Sequence, residues 1–172
     1  MLRRCYDSKF IEKHPSYNSC KVAEEWLTFS KFKSWMETQD WNGKHLDKDL
    51  CGDGQVYNKE NCVFIGQELN KFLTLRSNSR SDTLLGVRFD KRNGKFYAQG
   101  NVQGKRIHLG SFTCKEDAHF CYLAHKRDQV QDFIAKESDN KIIFGLQRLK
   151  ELLESHLKSR EVLRDLRSEH VL

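Results

Sequence analysis

The chain has 172 residues, 38% hydrophobic and 11% aromatic, with a formal net charge of +6. That composition supports a folded core in one domain or two small ones and excludes a disordered chain. No apolar run approaches the ~18 residues of a membrane span. The charged start, MLRRCYDSKF, has no apolar stretch of the secretory kind, so a cytoplasmic protein is expected. A basic surplus favours polyanionic partners.

Six cysteines, Cys5, Cys20, Cys51, Cys62, Cys114 and Cys121, are spread along the chain without a C-x-x-C pair. Structural zinc sites use such close pairs to present two thiolates to one ion. Reduced thiols are the expected state.

In chain order, residues 1–43 carry a helical pattern. The segment EEWLTFSKFKSWMETQ spaces Trp26, Phe29, Phe32, Trp35 and Met36 by threes and fours, as a core-facing stripe would. Thr28 or Ser30 is the expected cap. The next stretch, KHLDKDLCGDGQVYNKENCVFIGQELNKFL, gathers a histidine, acids and asparagines around a glycine turn. KHLDKDL alternates as a strand, with His45, Asp47 and Asp49 on one face and Leu46, Lys48 and Leu50 on the other. CGDG is a turn, CVFI a short second strand, and GQELNKFL a helix start with Leu69, Phe72 and Leu73 facing inward. Oxygen donors on the first strand and the helix suit a hard divalent cation, magnesium or manganese. On spacing alone, exposed strand acids and turn-capping asparagines fit slightly better.

W-x-x-F-x-x-F followed by LDKD, GDGQVYNKENCVF and a further Asn resembles the HNH, or His-Me finger, endonucleases of phages. Upstream RCYDSKF and PSYNSCKVAEEWLTFSKFKSW extend the likeness over residues 3–73. The resemblance implies a ββα-metal unit that hydrolyses DNA phosphodiesters. It assigns Asp47 and Asn70 to the metal and gives Asn61 the role of tying turn to strands. The family base is a histidine directly after the first-strand acid. Here that position is Lys48, a poor base at neutral pH. His45, two residues before Asp47 on the same expected face, is the substitute base.

Residues 74–84, TLRSNSRSDTL, read as a linker. Three strands follow in GVRFDKRNGKFYAQGNVQGKRIHLGSF, joined by RNG and VQG turns. Val87, Phe89, Phe96, Ala98, Val102, Ile107 and Leu109 are expected inward. Arg88, Asp90, Tyr97, Gln99, Asn101, Arg106 and His108 are expected outward. A helix from Lys115 covers the apolar face through Ala118, Cys121 and Tyr122. Between residues 86 and 112 six basic side chains (Arg88, Lys91, Arg92, Lys95, Lys105, Arg106) face one acid, Asp90. Charge concentrated on one small sheet is the footprint of a nucleic-acid reader.

This segment resembles the Apetala-two, or ethylene-response-factor, DNA-binding domain, through GVRFDKRNGKFYAQ, KRIHLGSF and EDAHFCYLAHK. The resemblance implies a three-stranded sheet laid in the major groove. Arg88, Lys91, Lys95, Tyr97, Gln99 and Arg106 would be the DNA-contacting groups. Arginine pairs bidentately with guanine and glutamine with adenine. Cys121 and His125 stand where that family usually has alanines, and its sheet tryptophans are missing.

From Asn140 the chain reads as helix, with a stripe at Leu146, Leu149, Leu153 and Leu157 that Leu163 and Leu166 extend loosely. The expectation is an α+β protein: an HNH-like unit over 1–75, a linker over 76–84, a DNA-binding unit over 85–137 and a helical segment over 138–172. It would be a monomer, or a weak dimer through the last helix. The expected function is a metal-dependent DNA endonuclease of phage type, a class that includes homing enzymes, in the host cytoplasm. Lys48 keeps alive a DNA-binding regulator on a degenerate nuclease scaffold. A less favoured third class is an inhibitor or adaptor that meets an acidic protein surface.

Overall fold

The computed structural model describes residues 1–52, 54–74 and 84–164. The fold is α+β, in two compact units: Met1–Lys71, and a second from Phe72 onward.

Unit one opens with two short helices, α1 (Leu2–Tyr6) and α2 (Ser8–Lys13). Asp7 caps α2, its carboxylate accepting the Phe10 N–H at 3.0 Å. A 3-10 turn over Pro15–Tyr17 leads to β1 (Lys21–Val22). A second 3-10 turn, Glu24–Leu27, precedes α3 (Phe29–Met36). Thr28 takes the cap position of α3 in extended backbone and makes no side-chain cap bond. That break corrects the aromatic stripe. Trp26 is buried, with Phe32 and Trp35 at ring-centroid distances of 5.1 and 4.4 Å. Phe29 is 71% exposed, because the spacing from Trp26 does not run along one continuous helix.

Next, β2 (His45–Asp47) pairs antiparallel with β4 (Val63–Ile65), placing His45 opposite Ile65 and Asp47 opposite Val63. Helix α4 (Gln67–Leu73) follows one residue later. Strand β2 is shorter than the alternation of Lys44–Leu50 suggests. The Asp47 carboxylate accepts the N–H groups of Asp49 and Leu50 and turns the chain. Asp49 therefore does not share a strand face with His45 and Asp47. Between the paired strands, β3 (Val56–Tyr57) runs parallel to β1. No residue pattern had marked either strand. The core joins Cys5, Cys20, Val22, Trp26, Tyr57 and Cys62, with Tyr17, Trp35 and Leu46 packed against it.

Most of the expected linker lies outside the described residues. Its last residue, Leu84, packs against the core of unit two. Strands β5 (Val87–Asp90), β6 (Lys95–Val102) and β7 (Lys105–Phe112) form an antiparallel sheet in that order. Gln103 and Gly104 both take positive φ in the β6–β7 turn, at 50° and 78°, the pairing a two-residue hairpin requires. A bulge between Ala98 and Gln99 shifts the register, so Ala98 faces Gly110 while Gln99 faces His108.

Helix α5 (Lys115–Lys136) covers one face of the sheet, burying Ala118, Tyr122, Leu123 and Val130. At Gly86, φ is +72° and a Cβ would meet the Tyr122 ring at 2.0 Å, so the helix lies directly on the start of the sheet. Two expected inward residues are corrected. Phe89 and Val102 are each 40% exposed, since both lie toward strand ends. Helix α6 (Asn140–Ser159) packs along α5 and buries Leu146, Leu149 and Leu153, while Leu157 is half-buried. Leu163 is fully buried, but not as an extension of that stripe: the helix ends at Ser159 and Arg160 turns in the left-handed region. Leu166 lies outside the described residues.

Candidate functional site

Strand pairing and helix order bring the unit-one candidates onto consecutive elements. His45 opens β2 and is exposed, whereas Asp47 closes it and is buried. Oδ2 of Asp47 accepts from the backbone N–H of Asp49 at 3.0 Å and of Leu50 at 2.8 Å. These two bonds orient the carboxylate at the turn that follows β2.

Asn61 stands two residues before β4. Its backbone N–H donates to the Asn58 side chain at 2.7 Å and its amide donates to the Val56 carbonyl at 3.2 Å. Gly52 lies so close that a Cβ there would meet Asn61 Cβ and Cγ at 2.5 Å. Asn61 therefore ties loop to strand through both hydrogen bonds and packing. Asn70 is half-buried on α4, its N–H bonded to the Gly66 carbonyl at 2.9 Å.

Lys48 is buried. Its ammonium donates to Asp49 Oδ1 at 2.5 Å and to the Gly54 carbonyl. It lies 5.7 and 5.5 Å from the Tyr17 and Tyr57 ring centroids. Burial alone would lower its pKa, but the charge and hydrogen bond of Asp49 more than offset that and raise it. Lys48 therefore stays charged at neutral pH and cannot act as a base. Burial pushes Tyr57 up to about 12, against an Arg4 hydrogen bond that opposes the shift. This Arg4–Tyr17–Lys48–Tyr57 cluster was not legible in advance, because its members come from distant stretches of chain.

The residues that the HNH resemblance assigns to a cation are one carboxylate, Asp47, at the end of β2, and one carboxamide, Asn70, on α4. Both are hard oxygen donors, and magnesium binds through one or two protein groups while keeping waters. Among the described residues no three His, Cys, Asp or Glu side chains form a metal-binding group. A site of the Asp–Asn kind does not require one.

On unit two, the face away from α5 carries alternate residues of each strand. Arg88 is opposite Tyr97, which is opposite Ser111; Gln99 is opposite His108, and Asn101 opposite Arg106. Arg88, Lys95 and Arg106 are exposed on that face, and Tyr97 and Gln99 are half-buried. Lys91 lies in the β5–β6 turn, not on a strand, beside Arg92, whose N–H is held by Asp90 at 3.0 Å.

Alternation had placed His108 on this face, and the bulge adds Ser111 to it. The two lie three residues apart, with Ser111 Oγ 3.4 Å from His108 Nε2. The His108 ring lies 5.3 Å from Tyr97, whose hydroxyl accepts from the Asn93 amide. Behind the sheet, Gly100 makes room for His125: a Cβ there would meet the imidazole at 2.6 Å. The bulky side chain at an expected alanine position is thus accommodated by the opposite strand.

No protein-family model, curated protein or solved structure matches this chain.

Proposed function

We propose that this protein is an HNH-type DNA endonuclease, in which the sheet of unit two engages DNA and the β2–β4–α4 element of unit one hydrolyses a phosphodiester. The observation that carries the reading is the antiparallel β2–β4 pair followed at once by α4. His45 and Asp47 lie on its first strand, Asn61 on the approach to its second, and Asn70 on its helix. Asp47 and Asn70 would hold one magnesium or manganese ion. When bound, that ion polarises the phosphodiester and stabilises the leaving oxyanion.

The chain's own groups supply the rest. His45, exposed at the strand start, takes the proton from the water whose oxygen attacks phosphorus, and the phosphorus–oxygen ester bond breaks. Asn61 keeps the loop that follows Asp47 in place. The exposed Arg88, Lys95 and Arg106 hold the phosphate backbone, and Tyr97 and Gln99 lie against base edges.

The second reading, a DNA-binding protein without cleavage, is favoured by Lys48. Its fixed positive charge sits in the loop directly after Asp47 and repels a dication. The two readings part on Asp47→Asn, which keeps a hydrogen-bond acceptor at the turn but removes the charge. The nuclease reading predicts at least a hundredfold loss of metal-dependent cleavage with DNA affinity unchanged. A native rate in Asp47→Asn removes Asp47 from the site.

A further inference from the structure

After α6 the chain turns at Arg160, with φ +60°, and returns to the start of α5. Arg160 donates to Asp117 Oδ1 at 2.5 Å, and its guanidinium lies 4.3 Å from the Phe120 ring centroid. Leu163 is fully buried, and its backbone N–H points at His119 Nε2 from 3.1 Å. The other ring nitrogen of His119, Nδ1, lies 2.9 Å from the Leu85 carbonyl oxygen.

Both partners are backbone groups of fixed polarity. A carbonyl only accepts, so Nδ1 carries the hydrogen. An N–H only donates, so Nε2 must be bare. One neutral tautomer of a fully buried imidazole therefore joins the segment entering β5 to the segment leaving α6.

We propose that His119 is a proton-sensitive latch that holds residues 160–164 on unit two at neutral pH and releases them on acidification. A proton on Nε2 would set N–H against N–H and place a charge on a fully buried ring. Release uncovers Leu163 and Phe120. The inference does not rest on DNA binding or on cleavage.

The surrounding charges leave that logic intact. Glu116 on α5 favours the protonated ring and His156 on α6 disfavours it, while burial is the largest influence and lowers the pKa. His156 also holds the segment, with Nδ1 3.0 Å from the Glu161 carbonyl, but a protonated His156 still donates there. The Asp117 carboxylate is occupied by Arg160, and that of Glu161 accepts the Ser159 hydroxyl. Leu84, Leu85 and Gly86 bring no titratable side chain. Of these contacts, only that of Leu163 with His119 has its sense reversed by a proton near neutrality.

The sign follows from linkage. The docked imidazole has a lowered pKa, so docking is at full strength above the free-imidazole value of about 6.5 and weakens as pH falls toward the docked value. Across that window the opening equilibrium rises by up to about tenfold per pH unit. The test is amide hydrogen exchange of the full chain between pH 8 and 5, corrected for the intrinsic pH dependence of exchange.

Protection at Leu163 should fall steeply below about pH 6.5 while protection at Val130, within α5, holds. His119→Gln keeps one donor and one acceptor but cannot titrate, so Leu163 should stay protected throughout. If that variant does not fold, imidazole nitrogen resonances of the wild type take its place. They should show the Nδ1–H tautomer at pH 8 and titrate together with Leu163 protection. Constant Leu163 protection in the wild type overturns the latch, as does the same pH dependence in His119→Gln. Loss of Val130 protection in step, or imidazole titration without change at Leu163, also overturns it.

Discussion

The Lys48 ammonium is buried yet charged, and its raised pKa comes from Asp49. A group whose folded pKa lies above its unfolded one stabilises the fold at all pH values below the unfolded lysine pKa. That contribution is lost as pH rises through the folded value. Lys48→Met fills the space but leaves Asp49 and the Gly54 carbonyl without their cation. We expect a loss of about 3 kcal/mol by urea unfolding at pH 7, toward the low end for a broken buried pair because Asp49 is partly exposed. An unchanged midpoint would mean that the clamp contributes nothing. The side chain following Asp47 lies between the Tyr17 and Tyr57 rings and bonds to Asp49, so that position supplies a clamp and not a base.

Among the elements, the sheet of unit two carries its charge where solvent reaches it. Arg88 and Arg106 lie on the outer face of different strands, and neither is needed to pack α5. The double substitution Arg88→Ala, Arg106→Ala should weaken DNA binding at low salt and make the dependence of log affinity on log salt shallower by about 2, one unit per lost phosphate contact. Filter binding across a salt series measures both. Unchanged affinity and slope would take the sheet out of the interface.

This element was the most legible in the sequence. Alternation and two glycine turns mark three strands, and the tight turns fix their register. What alternation misses is the bulge at Ala98/Gln99, because one extra residue shifts which side chains share a face without changing composition. Unit one was less legible. Its strands are two or three residues long, too short for a periodic signal, and β1 pairs with β3 across more than thirty intervening positions. Asp47 could be picked out as a ligand type. Its turn-capping bonds, which set where the strand stops, depend on backbone positions that residue types do not report. Phe29 shows the complementary error: spacing by three carries no meaning when a 3-10 turn interrupts the helix.

Across the molecule, the described residues of unit two include two buried bases, His119 and Lys126, that the DNA-binding reading does not use. His119 has a lowered pKa. Burial pushes Lys126 well below the ordinary lysine range, its nitrogen 3.1 Å from both the Phe72 carbonyl oxygen and the Phe72 ring centroid. Between the folded pKa of Lys126 and the unfolded value near 10.4, the unfolded chain binds more protons, so stability rises with pH across that window and falls with acidity. Lys126→Met has nothing to protonate. It should melt at a higher temperature than wild type at pH 7, with the gap narrowing by pH 9.5. A lower melting temperature for the variant at pH 7 would show that the amine's contacts outweigh its desolvation.

The central claim, metal-assisted hydrolysis of DNA with His45 as base, is tested most directly by conversion of supercoiled DNA to nicked or linear forms. Purified wild type and His45→Ala are incubated with cognate DNA in magnesium or manganese, with a chelator control. We predict that wild type cleaves only with the ion, and that His45→Ala loses about 100- to 10,000-fold in rate while binding DNA as tightly. Wild type that binds DNA but leaves it supercoiled with every divalent ion, or His45→Ala that cleaves at the native rate, would contradict the account.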